Sequence, residues 1–528
     1  MKNHLKYIIS KSGFRRLVAF GLFAITTQGC SSFLDKEPTF IVKENYFNNE
    51  NDVNMALTGI YDVMGREQFY GSSLPVYLSI ADDGAYYRTA YTSGPAVYVF
   101  NASEPLVEQL WQYLYQGIER ANVFLSRVDE VSMSETDKND AIGQAKFLRA
   151  YYYFLLVSNW GDVPLKTVPT PSVNTVDVPA TPQKDVYNFV VKEMEEAEGM
   201  VKPITAYGHA GRVSKSAVRG ILARVYLKMA GAPLKDVSKY ADALKWAEKL
   251  VHPSNGDYQH ALVSDYSKVF KDMAGDKYNI KESIWEVEFY GNNFTDFEAG
   301  RVGNLQGIQC NDESKGFSYG FVVATKKLYE SYENSDERRD WNIATYKYVH
   351  VNNVVTDSTF YPNTDIENRM AAKFRRGYET YRPRNKNYTP INFPVLRYSD
   401  VLLMYAEAEN EVNGATLNAK NALKEVRDRV HASDISATLV TPDDLKKAIK
   451  EERFRELCFE GLRKYDLIRW GEFVDTMNKL GSDIRTSGMA NIKYTALAGE
   501  KVTTRNNLLP IPLSEISLNG GVHQNEGW

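Results

Sequence analysis

The side chains best able to do chemistry lie in two windows that mix rings with polar groups. The first is Asp82-Asp83-Gly84-Ala85-Tyr86-Tyr87-Arg88-Thr89-Ala90-Tyr91. The second places Tyr290, Asn292, Asn293, Phe294 and Phe297 just after a strand-like run. Flat rings beside hydroxyl, amide and carboxylate groups are what stacking on the C–H face of a sugar ring and bonding its hydroxyls require. Any one ring could equally pack the irregular segment that carries it, since tyrosine is commonly half-buried with its hydroxyl outward. The expectation attaches to the cluster: Asp82, Asp83, Tyr86, Tyr87, Arg88, Tyr91, Tyr290, Asn292, Asn293, Phe294 and Phe297 are the ligand-binding candidates.

Catalysis has little local material. Asp82 and Asp83 are adjacent carboxylates, whereas a retaining glycosidase holds its two carboxyls about 5 Å apart across one bond. Neighbours in an extended loop point to opposite sides, which makes the pair a poor acid and base. The seven histidines are scattered, and no HExxH, GxSxG, P-loop, EF-hand or CxxC pattern occurs. Cys458, beside Phe454, Leu457 and Leu462, reads as a buried small hydrophobe. No catalytic residue, metal site or cofactor is expected, although carboxylates distant in sequence leave a hydrolase open. Lys373, Arg375, Arg376, Arg382, Arg384 and Lys386 interleave with Tyr378, Tyr381 and Tyr388, a mixture able to bind single-stranded nucleic acid. The overall negative charge argues against that partner and leaves a solvated loop, or a patch for acidic ligands or a partner protein. Glu451, Glu452, Arg453, Arg455, Glu456, Arg463, Lys464 and Asp466 read as helix-surface pairs and bridges between helices.

These windows sit in a chain of 528 residues, 43% hydrophobic and 25% charged, an ordinary globular composition. Tyrosine is the outlier, with 35 residues against 34 glycines. The formal charge of −4 averages unlike parts: residues 1–29 hold Lys2, Lys6, Lys11, Arg15, Arg16 and no acid, and without them the charge is −9. Arg15-Arg16 lead into an apolar run, Leu17 to Ile25, far short of the ~20 residues that span a membrane. Residues 1–29 read as a secretory leader ending in Gly29, directly before Cys30.

Positioning falls to helices. Residues 30–104 look irregular, broken by Gly65, Gly71, Pro75, Gly84, Gly94 and Pro95. Over 105–255 the period is helical: Trp111, Leu114, Tyr115 and Ile118 share a face, a second run covers 145–156, and Thr181-Pro182 supplies a cap and first residue for a helix to about Val201. Further helices are expected over 214–230 and 236–251. Ala150, Ala223 and Ala406 recur in the second helices of pairs, where a small residue lets a neighbour approach, and the pairs resemble degenerate tetratricopeptide units. Tyr151, Tyr152 and Tyr153 point about 100° apart, so one or two must face the core. Residues 256–395 form an irregular insertion with short strands, among them Ile284–Phe289, where apolar and acidic residues alternate. Helix pairs return over 396–475, with Thr441-Pro442-Asp443-Asp444 capping a long helix through Trp470. An extended tail, 476–528, packs on the body.

Several stretches in fixed order resemble the SusD/RagB family of nutrient-binding outer-membrane lipoproteins. They are Cys30 to Pro38, Leu148 to Tyr153 followed by Trp160-Gly161-Asp162-Val163-Pro164-Leu165, Leu396 to Ala408, Glu451-Glu452-Arg453 with Glu460 to Gly471, and the tail Leu509-Pro510-Ile511-Pro512 with Glu515-Ile516, Asn519 and Gln524-Asn525. The resemblance implies a mainly α fold of tetratricopeptide-like helix pairs against a loop-rich region bearing the ligand site. It implies that Cys30 is lipidated, that the protein lies on the outer face of the outer membrane, and that it serves as a lid over a SusC-like TonB-dependent transporter, capturing glycan or, in some members, peptide. It also makes Asp82 to Tyr91 the counterpart of the family's N-terminal binding loop.

Overall fold

Helices form wherever apolar residues recur at three- and four-residue steps, and their caps come from the residues just before them. The structure, a computed structural model, describes residues 47–172, 177–291, 300–487 and 494–528. Cys30, Asn292, Asn293, Phe294 and Phe297 lie outside the described residues. Asn49–Trp528 is one compact unit, mostly helical, with a few short strands.

Helix α1, Glu50–Asp62, corrects the irregular reading of 30–104. Val53, Leu57 and Ile60 bury one face, and the Asn49 side chain accepts from the Asp52 N–H at 3.2 Å. Helices α2, Pro105–Arg127, and α3, Glu135–Trp160, pack together, and α3 packs in turn on α4, Gln183–Met200. Every residue of α3 from Phe147 to Trp160 is buried, which makes it the central element of this half. The approach of α2 and α3 needs a glycine: a Cβ at Gly117 would lie 2.4 Å from the Tyr152 ring. The expected cap of α4 is different. Pro182 holds the N-cap position, and Asp162 reaches across to accept from the Gln183 N–H at 2.7 Å. Helices α5, Lys215–Ala230, and α6, Lys239–Val251, form the next pair, and α7, Tyr398–Asn413, packs against α6 and against α8, Leu417–Asp428.

The expected long helix through Trp470 is two helices, α9, Pro442–Glu456, and α10, Arg463–Trp470. Between them Phe459 and Gly461 take φ of +64° and +72°, which no α-helix accommodates. Gly471, at φ +74°, ends α10, and α11, Phe473–Thr486, follows. The final segment folds back over α3: the Trp160 indole donates to the Pro510 carbonyl at 2.9 Å, and the Asn525 amide donates to that of Trp160 at 2.9 Å. It contains a short helix, Leu513–Leu518.

The strands pair antiparallel in twos. β1, Ala85–Tyr87, joins β3, Val322–Ala324, with Tyr86 opposite Val323. β2, Ser283–Val287, joins β6, Phe393–Arg397. β4, Tyr346–Val351, and β5, Val354–Phe360, make a hairpin whose turn residues Asn352 and Asn353 have φ of +51° and +62°. Of the two acids in the alternating run only Glu288 faces solvent, and it lies just beyond β2. All five β2 residues are buried, and Glu286 is held by the Asn392 amide at 2.9 Å and by the Ser283 hydroxyl.

Of the charges from 451 to 466 Glu451 is exposed, whereas Glu452, Arg453, Arg455, Glu456 and Asp466 are buried and bridge elements as the centre of an ionic network, not as helix-surface pairs. Arg397 meets Glu282 at 3.0 Å, Glu456 at 3.0 Å and Glu460 at 2.7 Å, while Lys373, also fully buried, pairs with Glu460 at 2.7 Å. Arg338 and Arg429 complete the shell of Glu456. A second group joins Arg453 to Asp400 at 2.7 Å and to Asp466 at 2.8 Å, with Arg469 bridging Asp466 and Glu407. The first group ties α9 to the irregular region, and the second ties α9 and α10 to α7. Removing one partner of such a pair costs about 3–5 kcal/mol, because the other charge stays buried.

Candidate functional site

The loop at 82–91 is built from the inside outward. The Asp82 carboxylate accepts from the Gly84 N–H at 2.7 Å and turns the chain into β1. Asp83 is fully buried between Arg463 and Lys327, each 2.7 Å away. Burial alone would raise its pKa, but those two cations hold it below the usual carboxylate range. Asp82 moves the other way, pushed up to about 8 by burial and by the Asp83 charge. One high and one low carboxyl is the pattern of an acid and base pair, yet both side chains are buried away from solvent. Tyr86 and Tyr87 are buried too, their hydroxyls donating to the carbonyls of Glu367 and Val76, each at 2.6 Å. Four of the sequence candidates thus build the loop from behind.

What the loop offers outward is Arg88 and Tyr91, both half-buried. Arg88 donates to the Gln309 side chain at 2.8 Å and to the Tyr319 carbonyl at 3.1 Å, and its backbone N–H donates to Phe321 at 2.6 Å. Those bonds, with the pairing of β1 and β3, bring the loop alongside the extended stretch Phe317–Phe321. Here alternate residues share a face: Tyr319 lies 4.9 Å from Phe317, edge to face, and 5.0 Å from Phe321 at an interplanar angle of 15°. On the other flank Tyr77 stacks on Tyr87 at 5.7 Å, and Tyr91 meets Tyr87 edge-on at 5.6 Å. Burial raises the Tyr77 pKa, and the charges that act on it come from Arg301, Tyr91, Glu67 and Tyr319. Tyr91, Tyr77, Tyr319, Phe321 and Phe317 form a row of half-buried rings. Arg88, Gln309, Arg301 and Asn387 stand beside it as hydrogen-bonding groups.

Tyr290 belongs to the second window and is 60% exposed, with its ring 5.0 Å from that of Tyr381. The chain leaving β2 passes close to the 388–390 strip, since a Cβ at Gly291 would sit 2.6 Å from the Pro390 nitrogen. Tyr388, two residues before, is an electrostatic neighbour of Arg301. Sequence reading missed Tyr77, Phe317, Tyr319 and Phe321. The signal for the last three is their spacing of two, inside the irregular insertion 256–395. Among the described residues no group of histidine, cysteine or carboxylate side chains is arranged to hold a metal ion. No helix among them is long and apolar enough to cross a membrane.

Two family models match the chain. The one described as "SusD family" covers residues 281–528, and the one described as "Starch-binding associating with outer membrane" covers 32–227. The chain belongs to the SusD/RagB family. The row of rings lies where the two matched segments of this SusD/RagB chain meet, with Tyr77, Arg88 and Tyr91 in one and Phe317 to Phe321 in the other. SusD-like protein P2 of Formosa agariphila is 26% identical over 511 residues, which cover 93% of this chain and 98% of that protein. Starch-binding protein SusD of Bacteroides thetaiotaomicron is 24% identical over 469 residues, 79% of this chain and 78% of its own. Among solved structures, a SusD homolog from Bacteroides thetaiotaomicron superposes with a TM-score of 0.81 at 28% identity, over 92% of this chain and 98% of that one. The SusD/RagB fold accounts for the helix pairs and for the short, scattered strands.

Proposed function

We propose that this protein captures an oligosaccharide at the cell surface and hands it, chemically unchanged, to a SusC-like TonB-dependent outer-membrane transporter. A lipid on Cys30 would hold it to the outer membrane, with the body facing the medium. The observation that carries this reading is the row Tyr91, Tyr77, Tyr319, Phe321 and Phe317, whose rings are half-exposed while the rest of the loop is anchored in the ionic core. Such a row presents flat faces to sugar rings, and Arg88, Gln309 and Asn387 stand ready for their hydroxyls. Tyr290, with Asn292, Asn293, Phe294 and Phe297, would extend it. The family description, starch binding in association with an outer membrane, supports the reading, as does the starch-binding relative.

Binding without turnover fits the electrostatics of the site. Glu67, the carboxylate that acts on Tyr77, is tied to Arg301, and the Asp82 and Asp83 pair is sealed behind the loop. Closure over a transporter would follow from a ligand that binds the closed arrangement more tightly than the open one. Titrating the purified protein with a panel of neutral and acidic oligosaccharides, with chromatography of the mixtures, tests this. Saturable binding with intact saccharide is the expected result. Shorter saccharides in the mixture would make the protein a hydrolase, and binding of peptides alone would make the ligand a peptide.

A further inference from the structure

A recess of about 200 Å³ lies on the far side of the Phe317–Phe321 stretch from the ring row. Gly316 and Ser318 line it, alternating with Phe317 and Tyr319 in the row, so one extended segment walls both. Its other walls are Tyr346 and Tyr348 from the inward face of β4, Tyr378, and the cations Lys315, Arg375 and Arg376. No carboxylate is among the lining residues. That is unusual for a chain whose charge without its leader is −9.

The charges around the recess are already committed, except on the recess side. Arg376 is neutralised by Glu379 at 2.7 Å. Asp340 spends its carboxylate on Arg339 at 2.9 Å, Glu313 faces Lys386 at 3.9 Å, and Asp312 accepts from the backbone N–H groups of Ser314 and Val355 at 2.9 and 3.1 Å. Arg375 has no carboxylate partner among the described residues. Its Nε and Nη2 donate to the carbonyls of Ala372, Asp340 and Trp341 at 2.8–3.0 Å, its guanidinium lies 4.2 Å from the centre of the Trp341 ring, and Nη1 meets no acceptor among the described residues. A partly buried guanidinium with no salt-bridge partner is costly, and burial lowers its pKa although the Asp340 charge acts against that shift. An anion in the recess would balance it, with the Tyr346 and Tyr348 hydroxyls, 3.3 Å apart, as further donors.

We propose that this recess is a subsite for an acidic sugar unit, one bearing a carboxylate or a sulfate ester. The inference rests on the carbohydrate reading of the ring row and names the class of glycan. The recess is smaller than the roughly 300–1,000 Å³ of pockets that enclose whole drug-sized ligands, so it takes one substituted ring and not a chain. Its test compares three hexasaccharide probes, a neutral β-glucan, an oligogalacturonate and a sulfated galactan fragment free of uronic acid, on wild type, Lys315→Ala, Tyr348→Phe and Tyr319→Ala. Lys315 and Tyr348 make no bond to the ionic core, so these variants keep the fold. Lys315→Ala and Tyr348→Phe should each weaken an acidic probe by about tenfold, the size of a lost charge-assisted hydrogen bond, and leave the neutral probe unchanged, while Tyr319→Ala weakens all that bind. Added salt should weaken the acidic probe alone. Which acidic probe binds tells carboxylate from sulfate. Binding of the neutral probe alone overturns the recess and leaves the row standing, as does acidic binding indifferent to Lys315→Ala and Tyr348→Phe. Failure of all three probes overturns both.

Discussion

The buried tyrosines give their hydroxyls to partners inside the protein. Tyr151, Tyr152 and Tyr153 all face inward, where one or two were expected, with hydroxyls bonded to Tyr70, to the Ile60 carbonyl at 2.6 Å and to the Lys166 carbonyl at 2.9 Å. Tyr86 and Tyr87 follow the same rule, which is why six adjacent candidates in one loop separate into four inward and two outward side chains. Composition shows an excess of rings, but hydroxyl partners are set by chain folding and cannot be read from neighbours in sequence. Tyr87→Phe should therefore destabilise by about 0.5–1.5 kcal/mol, or somewhat more for the acceptor left buried, with ligand affinity unchanged. Thermal unfolding beside a binding titration checks it. Arg397→Met should cost about 3–5 kcal/mol, since it takes one cation away from Glu282, Glu456 and Glu460 and leaves Arg429, Arg338 and Lys373 to balance three buried carboxylates. Denaturant unfolding measures that loss, and a variant as stable as wild type would remove the network from the account of stability.

At the level of elements, helix existence was legible and helix ends were less so. The apolar period located α2 and α4 to α8 within a few residues, because one buried stripe per helix is enough to reveal it, but it began α3 at 145 where the helix starts at Glu135. It ran α9 and α10 together because the residues between them, Leu457 to Leu462, keep a helical mix of apolar and charged types while the backbone turns at Phe459 and Gly461. Gly461→Ala probes that break. A Cβ there meets the Ser79 hydroxyl at 2.9 Å in a backbone region disfavoured for alanine, so the variant should lose about 1–3 kcal/mol, read as a lower unfolding midpoint. The β4–β5 hairpin was missed although Asn352-Asn353 between two β-branched runs carries its turn signal. The strand β2 was found, but its alternation misled at Glu286, because a carboxyl hydrogen-bonded by Asn392 and Ser283 can be buried where an unbonded one cannot.

For the whole molecule, the ionic core links the helical half to the loops that carry the rings, and it makes the fold sensitive to acid. Burial would raise the carboxyl pKa values, yet their arginine partners hold Asp400, Glu407 and Glu452 down to about 2 and Glu456 well below the ordinary range. Groups depressed in the folded state add stability above their unfolded pKa, near 4, and lose it as pH falls through the folded value. Stability should thus fall steeply from about pH 4.5 to 2, as measured by denaturant midpoints across that range. A flat profile would show that the pairs do not act as drawn. Asp82, raised to about 8, acts in the opposite sense: its contribution is full below the unfolded pKa near 4 and is lost as pH rises through the folded value. The site's rigidity has the same source, because Asp83 locks the 82–91 loop to Arg463 at the start of α10. The most direct measurement is a calorimetric titration of the tightest-binding oligosaccharide into wild type and into the Tyr77→Ala/Tyr319→Ala double variant. Two rings at about 0.5–1.5 kcal/mol each predict an affinity loss of about 5- to 150-fold with the fold intact by circular dichroism. Equal affinity in the two proteins would contradict capture on the ring row.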